Sequence, residues 1–287
     1  MVDATEIRER WRAAASGWVA HGAVVRETTA AVSRAMVERV APAPGERWLD
    51  VAGGVGDPAL YVARSVGSDG RMVITDLVPE MVAGAREAVR QAVPGIRIDA
   101  VAAAAEAMPF AETFDGLTCR FGTMFFAEPS RALASLREAL VPGGRAVFAV
   151  WAEPERNVYF REVNAAVRER FPDTPAPEPD QPHPFRFCRR GELAELLRET
   201  GWIHVREGRL PFVMASGMAL NQFWDHLIGL SVELRRLVSE LPAEEADTLR
   251  EAIEGRMAPF FEDGSMRLPA EARLVWARSP QRVRAAG

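Results

Sequence analysis

The amino-acid sequence predicts an α/β protein built on a doubly wound parallel sheet, and three observations predict it. Apolar runs at 47–52, 72–75, 96–101, 114–119 and 145–151 alternate with segments whose apolar residues recur every three or four positions. That alternation is the pattern of parallel strands joined by crossover helices. A glycine-rich turn closes the first run and leads straight into a helical pattern. The chain of 287 residues, 48% apolar, is long enough to bury a large core around such a sheet.

Element by element, Ile7, Trp11, Ala14, Ala15 and Trp18 trace one helix face, which His21 extends, and a second helix covers 24–40. Ala-Pro-Ala-Pro-Gly (41–45) breaks the pattern before the strand at 47–52. Pro58 stands where a first helical turn begins, and the helix runs to Val66. After the strand at 72–75, Pro79 opens a helix to about 93; strands at 96–101 and 114–119 follow, then a helix at 130–140 stopped by Val-Pro-Gly-Gly, then the strand at 145–151. A helix at 157–171 precedes a segment with prolines at 172, 175, 177, 179, 182 and 184, too proline-dense for regular structure and suited to a loop or lid. A helix at 191–200 and a strand at 202–207 resume the sheet. Leu220, Phe223, Trp224, Leu227, Ile228, Leu234, Leu237 and Val238 mark one amphipathic helix, 243–257 another, and 272–277 the last strand. The expected organisation is an N-terminal helical cap (1–40), a main domain (41–216 and 263–287), and an inserted helical pair as a second cap (217–262).

Composition narrows the function. All 35 basic residues are arginine, so neither a Schiff-base lysine nor a P-loop lysine exists. With 40 acidic residues the net charge is −5 and no basic block occurs, which argues against nucleic acid as a partner and for a small molecule. Two cysteines, Cys119 and Cys188, and four scattered histidines give no metal-ligand spacing, so no metal is expected. No apolar run reaches about 18 residues, and a soluble, cytoplasmic protein without membrane contact is expected. The apolar stripe of the first helix leaves a homo-oligomer open.

The chemistry is concentrated in Trp-Leu-Asp-Val-Ala-Gly-Gly-Val-Gly-Asp-Pro (48–58), followed twenty residues after Gly56 by Asp76 at the end of the next strand. Gly53, Gly54 and Gly56 let the backbone pass close to a ligand, and a carboxylate at the tip of the second strand can accept from both ribose hydroxyls. An adenosine-bearing ligand is implied. Gly54 to Ala59 also fit the nicotinamide dinucleotide pattern G-x-G-x-x-A, which makes an NAD(P)-dependent oxidoreductase the alternative. Asp50 and Asp57 bracket the loop and would repel a pyrophosphate, whereas they would attract a cationic amino-acid ligand. Asp57 also reads as a plain helix cap, and Asp76 as a turn residue.

These residues resemble class I S-adenosylmethionine-dependent methyltransferases, in the branch of the ubiquinone/menaquinone biosynthesis C-methyltransferases (UbiE-like). The resemblance rests on Leu-Asp-Val-Ala-Gly-Gly-Val-Gly-Asp (49–57), Thr-Asp-Leu-Val-Pro-Glu-Met (75–81), Ala-Glu-Ala-Met-Pro-Phe (105–110), Phe-Asp-Gly-Leu-Thr-Cys-Arg-Phe-Gly (114–122) and Leu-Val-Pro-Gly-Gly-Arg (140–145). It implies a Rossmann-like, seven-stranded sheet in the order 3-2-1-4-5-7-6 with the last strand antiparallel, and S-adenosyl-L-methionine as cofactor. It further implies that Asp50, Ala52, Gly54 and Gly56 line the methionine end, Asp76 the ribose, Leu77 and Met81 the adenine, and Ala105 and Glu106 its far edge. Arg120 and Phe121 would floor the methyl-transfer site. Ala104 stands where many relatives carry Asp or Asn, so another group must serve the adenine amine.

Methyl transfer from a sulfonium is an in-line displacement governed by alignment in a dry pocket, and it demands no fixed catalytic residue. Where the acceptor carries a proton to lose, a histidine helps, and His21, His183 and His226 are the candidates. His21 and His226 adjoin apolar helix faces; packing histidines are the alternative reading of both. Aromatic surface for a flat, mostly apolar acceptor comes from Trp18, Phe125, Tyr159, Phe223 and Trp224, with Trp11, Phe126 and Phe160, each of which also fits a core. A catalytically idle S-adenosylmethionine-binding regulatory protein is the third reading.

Overall fold

The structure, a computed structural model, describes residues 4–174 and 178–281. Prolines 175 and 177, and the outer ends of the first and last segments named above (1–3 and 282–287), lie outside the described residues. Two helices, α1 (Ala4–Ala20) and α2 (Gly22–Val40), lead into the alternating part: β1 (Arg47–Val51), α3 (Ala59–Val66), β2 (Arg71–Asp76), α4 (Pro79–Ala92), β3 (Arg97–Ala102), β4 (Phe114–Arg120), α5 (Pro129–Glu138) and β5 (Leu140–Trp151). The chain continues through α6 (Val158–Arg170), α7 (Glu192–Glu199), β6 (Ile203–Ser216), α8 (Leu220–Leu230), α9 (Val232–Glu240), α10 (Ala243–Met257), β7 (Phe261–Glu262) and β8 (Ser265–Arg278).

The sheet order is β3-β2-β1-β4-β5-β8-β6, with β8 antiparallel to both neighbours and the two-residue β7 paired beside it. Apart from β7, this is the order and polarity that the resemblance implied. Alternate residues of the central strands feed two cores. Leu49, Leu117 and Phe148 pack with α5 and α7 on one face, while Trp48, Met72, Ile74 and Val147 pack with α2, α3 and α4 on the other. Trp48 and Phe148 are fully buried, each contributing on the order of 1.5–3 kcal/mol of transfer free energy.

Several boundaries differ from the sequence reading. The expected strand at 202–207 continues to Ser216, through Gly208 and Pro211, because among the described residues β6 is an edge strand paired with β8 on one side, and an edge strand tolerates a residue without an amide proton. Its partner likewise starts at Ser265 rather than 272. The single helix expected over 220–238 is two, broken at Ser231, whose hydroxyl accepts the Leu234 amide at 3.2 Å and caps α9. Three helices, rather than a pair, therefore stand between the long antiparallel strands. Among the described residues no helix is long and apolar enough to cross a membrane.

Candidate active site

Loops leaving the carboxyl ends of β1, β2 and β4 form the candidate site. After β1 the backbone turns back through left-handed conformations at Ala52 (φ 52°), Gly54 (φ 49°) and Gly56 (φ 86°). A Cβ at Gly53 would collide with Ile74, so only glycine lets this turn lie against β2. Beyond β4, Phe121 is also left-handed (φ 56°), and a Cβ on the next residue, Gly122, would strike the Ala52 side chain. Two strained non-glycine residues thus sit next to each other at the ends of neighbouring strands, the kind of cost that persists where function fixes the backbone.

Asp50 and Asp76 anchor the turn. Asp50 is fully buried; its carboxylate accepts Thr118 Oγ1 at 2.6 Å and the Ala59 amide, at the start of α3, at 3.3 Å. Asp76 accepts the Gly54 amide at 3.0 Å and the Val78 amide at 3.3 Å, holding the glycine turn against the end of β2. Burial pushes the Asp50 carboxyl up to about 7 and that of Asp76 up to about 6.

The electrostatics of the turn differ from the sequence argument, which treated Asp50 and Asp57 as unopposed negative charge. Arg120 reaches from the end of β4 to Asp57 Oδ2 at 2.8 Å, and the same guanidinium donates to Thr29 Oγ1 and, at 3.2 Å, to Ser33 Oγ on α2. Arg26 of α2 donates to the Val55 carbonyl at 3.1 Å. The turn is therefore clamped by arginines, and Asp57 is neither the expected helix cap nor an isolated charge. A pyrophosphate is disfavoured for a more local reason: Asp50 already occupies the α3 amide that a phosphate would take. Sequence reading missed Arg26, Thr29, Ser33 and Thr118. The signal for two of them was Thr29 and Ser33, polar residues four apart that, with Thr28, interrupt the apolar buried face of α2.

Two atoms of this cluster are buried without a partner: Asp57 Oδ1, an acceptor, and Arg120 Nε, a donor. An amino-acid end with an ammonium and a carboxylate carries the complementary pair of groups, so the residues present fit the methionine part of S-adenosylmethionine.

On the adenine side, Leu77, Val78 and Met81 form a small apolar cluster with Ala15, Trp11 and Trp18 of α1. Ala105 is buried in a single 3-10 turn. Glu106 Oε1 accepts the Ala127 amide at 2.9 Å and the Glu128 amide at 3.3 Å, so this carboxylate is engaged at the loop before α5.

Aromatic rings dominate the remaining side. Phe121 stacks on Trp151, at the end of β5, with centroids 3.9 Å apart; Trp151 also meets Phe160 and Phe212. Tyr159 joins Phe160 to Phe223. Phe223 is fully buried and packs on Phe261 of β7, which makes it a core ring among the inserted helices, whereas Trp224 is half-buried. Phe125 meets Trp11 edge-on at 5.1 Å, and Trp18 Nε1 donates to the Leu230 carbonyl at 3.2 Å, tying α1 to α8. At the α1–α2 junction His21 meets His226 of α8 edge-on at 5.0 Å. His226 is buried, its Nδ1 has no partner, and burial together with His21 lowers its pKa to about 4. His183 is remote in role: its Nδ1 accepts the Phe185 amide within its own turn.

Comparison with known proteins agrees with this geometry. The model of the ubiE/COQ5 methyltransferase family matches residues 29–167. The ubiquinone/menaquinone biosynthesis C-methyltransferase UbiE of Erwinia tasmaniensis is 38% identical over 195 residues, covering 67% of this chain and 73% of its own. That of Edwardsiella ictaluri is 31% identical over 196 residues, with the same coverage of each chain. Among solved structures, one described as a methyltransferase from Bacillus halodurans superposes with a TM-score of 0.53 at 20% identity, covering 87% of this chain and 99% of its own, which supports the fold. The sequence match and the site together place this chain in the ubiE/COQ5 methyltransferase family, as an enzyme that uses S-adenosylmethionine as its methyl donor.

Proposed function

We propose that the enzyme methylates a small, flat, mostly apolar acceptor of aromatic, quinone-like or polyketide-like character. The observation that carries this reading is the ring pair Phe121–Trp151 at the carboxyl ends of β4 and β5, continued by Phe160 and Phe212. Ligands of open α/β sheets bind at those strand ends, and stacked rings offer a flat guest apolar contact with little polar cost. The relatives named for ubiquinone and menaquinone biosynthesis favour a hydroquinone ring carbon as the methylated atom.

When bound, S-adenosylmethionine supplies an electrophilic methyl group. In this proposal Asp57 and Arg120 hold its amino-acid end, with Asp50, Ala52, Gly53, Gly54 and Gly56 shaping the turn around it. Asp76 accepts from the ribose, and Leu77, Met81, Ala105 and Glu106 border the adenine. α1 and the helices α8–α10 act as caps that exclude water over the strand ends. His21 is the candidate base: it lies at the hinge of α1 and α2, and its neighbour Gly22 packs against Val55 of the cofactor turn. His21 would take a phenolic proton from the acceptor and so raise electron density on the ring carbon that would receive the methyl group as the sulfonium S–C bond breaks and S-adenosylhomocysteine leaves; the proton on that carbon would then pass to solvent, restoring the aromatic ring. His226, kept neutral by burial, positions His21 rather than taking the proton.

The test is transfer of an isotopically labelled methyl group from S-adenosylmethionine to a panel of hydroquinones and phenols, read by mass spectrometry. His21→Ala is expected to lower kcat about 10²–10⁴-fold while leaving S-adenosylhomocysteine affinity unchanged. Full activity in His21→Ala would remove the base from the mechanism. Methylation of polar aliphatic acceptors alone would remove the aromatic acceptor class.

A further inference from the structure

At the end of the sheet opposite the cofactor turn, where β5 and β6 begin and β8 ends, a cleft of about 400 Å³ opens against the C-terminal end of α2. Arg39, Arg145, Arg206 and Arg278 line it, with Trp276 and His204. We propose that this cleft binds a small free phosphate, a phosphate monoester or a pyrophosphate, through its guanidinium groups.

Charge is the first argument. Arg145 stands directly opposite Arg278 in the β5–β8 ladder, a like-charge cross-strand pair in which only Arg145 has a carboxylate partner among the described residues. Arg145 pairs with Glu46. Arg278 donates to the Gly143 carbonyl at 3.1 Å, and Arg39 lies over the Trp276 ring at 4.7 Å. Among the described residues Arg39, Arg206 and Arg278 meet no carboxylate, in a chain whose net charge is −5. Three uncompensated guanidinium groups converging on one cleft make a site for an anion of multiple charge, and their planar forks match phosphate oxygens.

Backbone geometry is the second argument. Ile203 stands opposite Arg278 and Arg206 opposite Trp276, so three steps along β6 face two along β8. Residues three apart in a regular strand point to opposite faces. This bulge is what puts Arg206 on the face that carries Trp276 and Arg278, and His204 within it takes a left-handed φ of 53°. The strain lies at the mouth of the cleft and places Arg206 there, a guanidinium that, among the described residues, meets no carboxylate. The volume is that of a small-ligand pocket.

The test is calorimetry of the full chain with pyrophosphate and with inorganic phosphate as probes, and with phosphatidic acid vesicles as a lipid-borne phosphate. One pyrophosphate per chain is expected, weakened at least about tenfold in Arg206→Gln and in Arg39→Gln, with S-adenosylhomocysteine affinity unchanged in both. Both arginines are exposed, and Arg278→Gln replaces either variant if circular dichroism shows that it does not fold. Absence of pyrophosphate binding at about 1 mM, equal binding by parent and variants, or binding to the vesicles without binding of the free anions would each overturn the proposal.

Discussion

The turn proposed to hold the cofactor and the ring-lined side proposed to hold the acceptor are built by opposite means. The turn after β1 is held by charged groups and backbone amides over short, fixed paths: Asp76 to Gly54, Asp50 to Ala59, Arg120 to Asp57. Opposite it, rings from β5, β6, α6 and the inserted helices pack without a shared hydrogen bond, while Trp11 and Trp18 of α1 pack on Leu77, Val78 and Met81, and Trp11 also meets Phe125. Directional contacts tolerate one geometry, whereas ring packing tolerates several. The first half therefore suits a ligand that never changes, and the second suits an acceptor that differs between enzymes with the same donor.

Breaking the charged clamp is expected to have the largest effect. Arg120→Met leaves Asp57 buried and unpaired, which should cost about 3–5 kcal/mol of stability in urea titration, while Asp57→Asn combined with Arg120→Met should cost less. A loss below about 1 kcal/mol in the single variant would show that the pair does not fasten α2 to the cofactor turn.

On the acceptor side, Gly17 of α1 packs so closely on Gly229 of α8 that a Cβ would strike its carbonyl. Gly17→Leu should part the two caps and lower kcat/KM for the acceptor about 100-fold, the scale of a displacement of about 1 Å, with a smaller loss of S-adenosylhomocysteine affinity because α1 also packs on Leu77 and Met81. Equal losses in acceptor turnover and cofactor binding would erase the distinction between the halves.

Asp76→Asn should do the reverse, weakening S-adenosylhomocysteine about 10–100-fold, the range of a hydrogen bond to a charged group, with the acceptor KM unchanged. The ionised carboxylate is the form that accepts from ribose hydroxyls. Because burial raises the Asp76 pKa to about 6, affinity should be full above pH 7 and fall as pH drops through about 6, by no more than tenfold per unit. The pH dependence should vanish in Asp76→Asn; a profile unchanged by the substitution would assign the titration to another group.

This division also governs what the sequence made legible. Asp50, Gly53, Gly54, Gly56 and Asp76 act within one strand-turn-helix unit and the next strand tip, where spacing along the chain is spacing in space. Arg120 was visible as a site residue, but its role was not, because its partners Thr29 and Ser33 lie 91 and 87 residues away on another element. The rings were visible as aromatic residues only. That Phe121 stacks on Trp151, or that Phe223 is sealed in a core while Trp224 remains half-exposed, depends on which strand ends meet. Gly208 and Pro211 weaken a strand locally, so the full length of β6 is not legible in its own residues and follows from its pairing with β8, which extends from Ile203 to Ser216.

The most direct measurement is a crystal structure of the full chain with S-adenosylhomocysteine. The account predicts the ribose on Asp76, the ammonium within hydrogen-bond distance of Asp57, and the carboxylate facing Arg120. A nucleoside bound at these strand ends with its amino-acid end turned away from both Asp57 and Arg120 would contradict it.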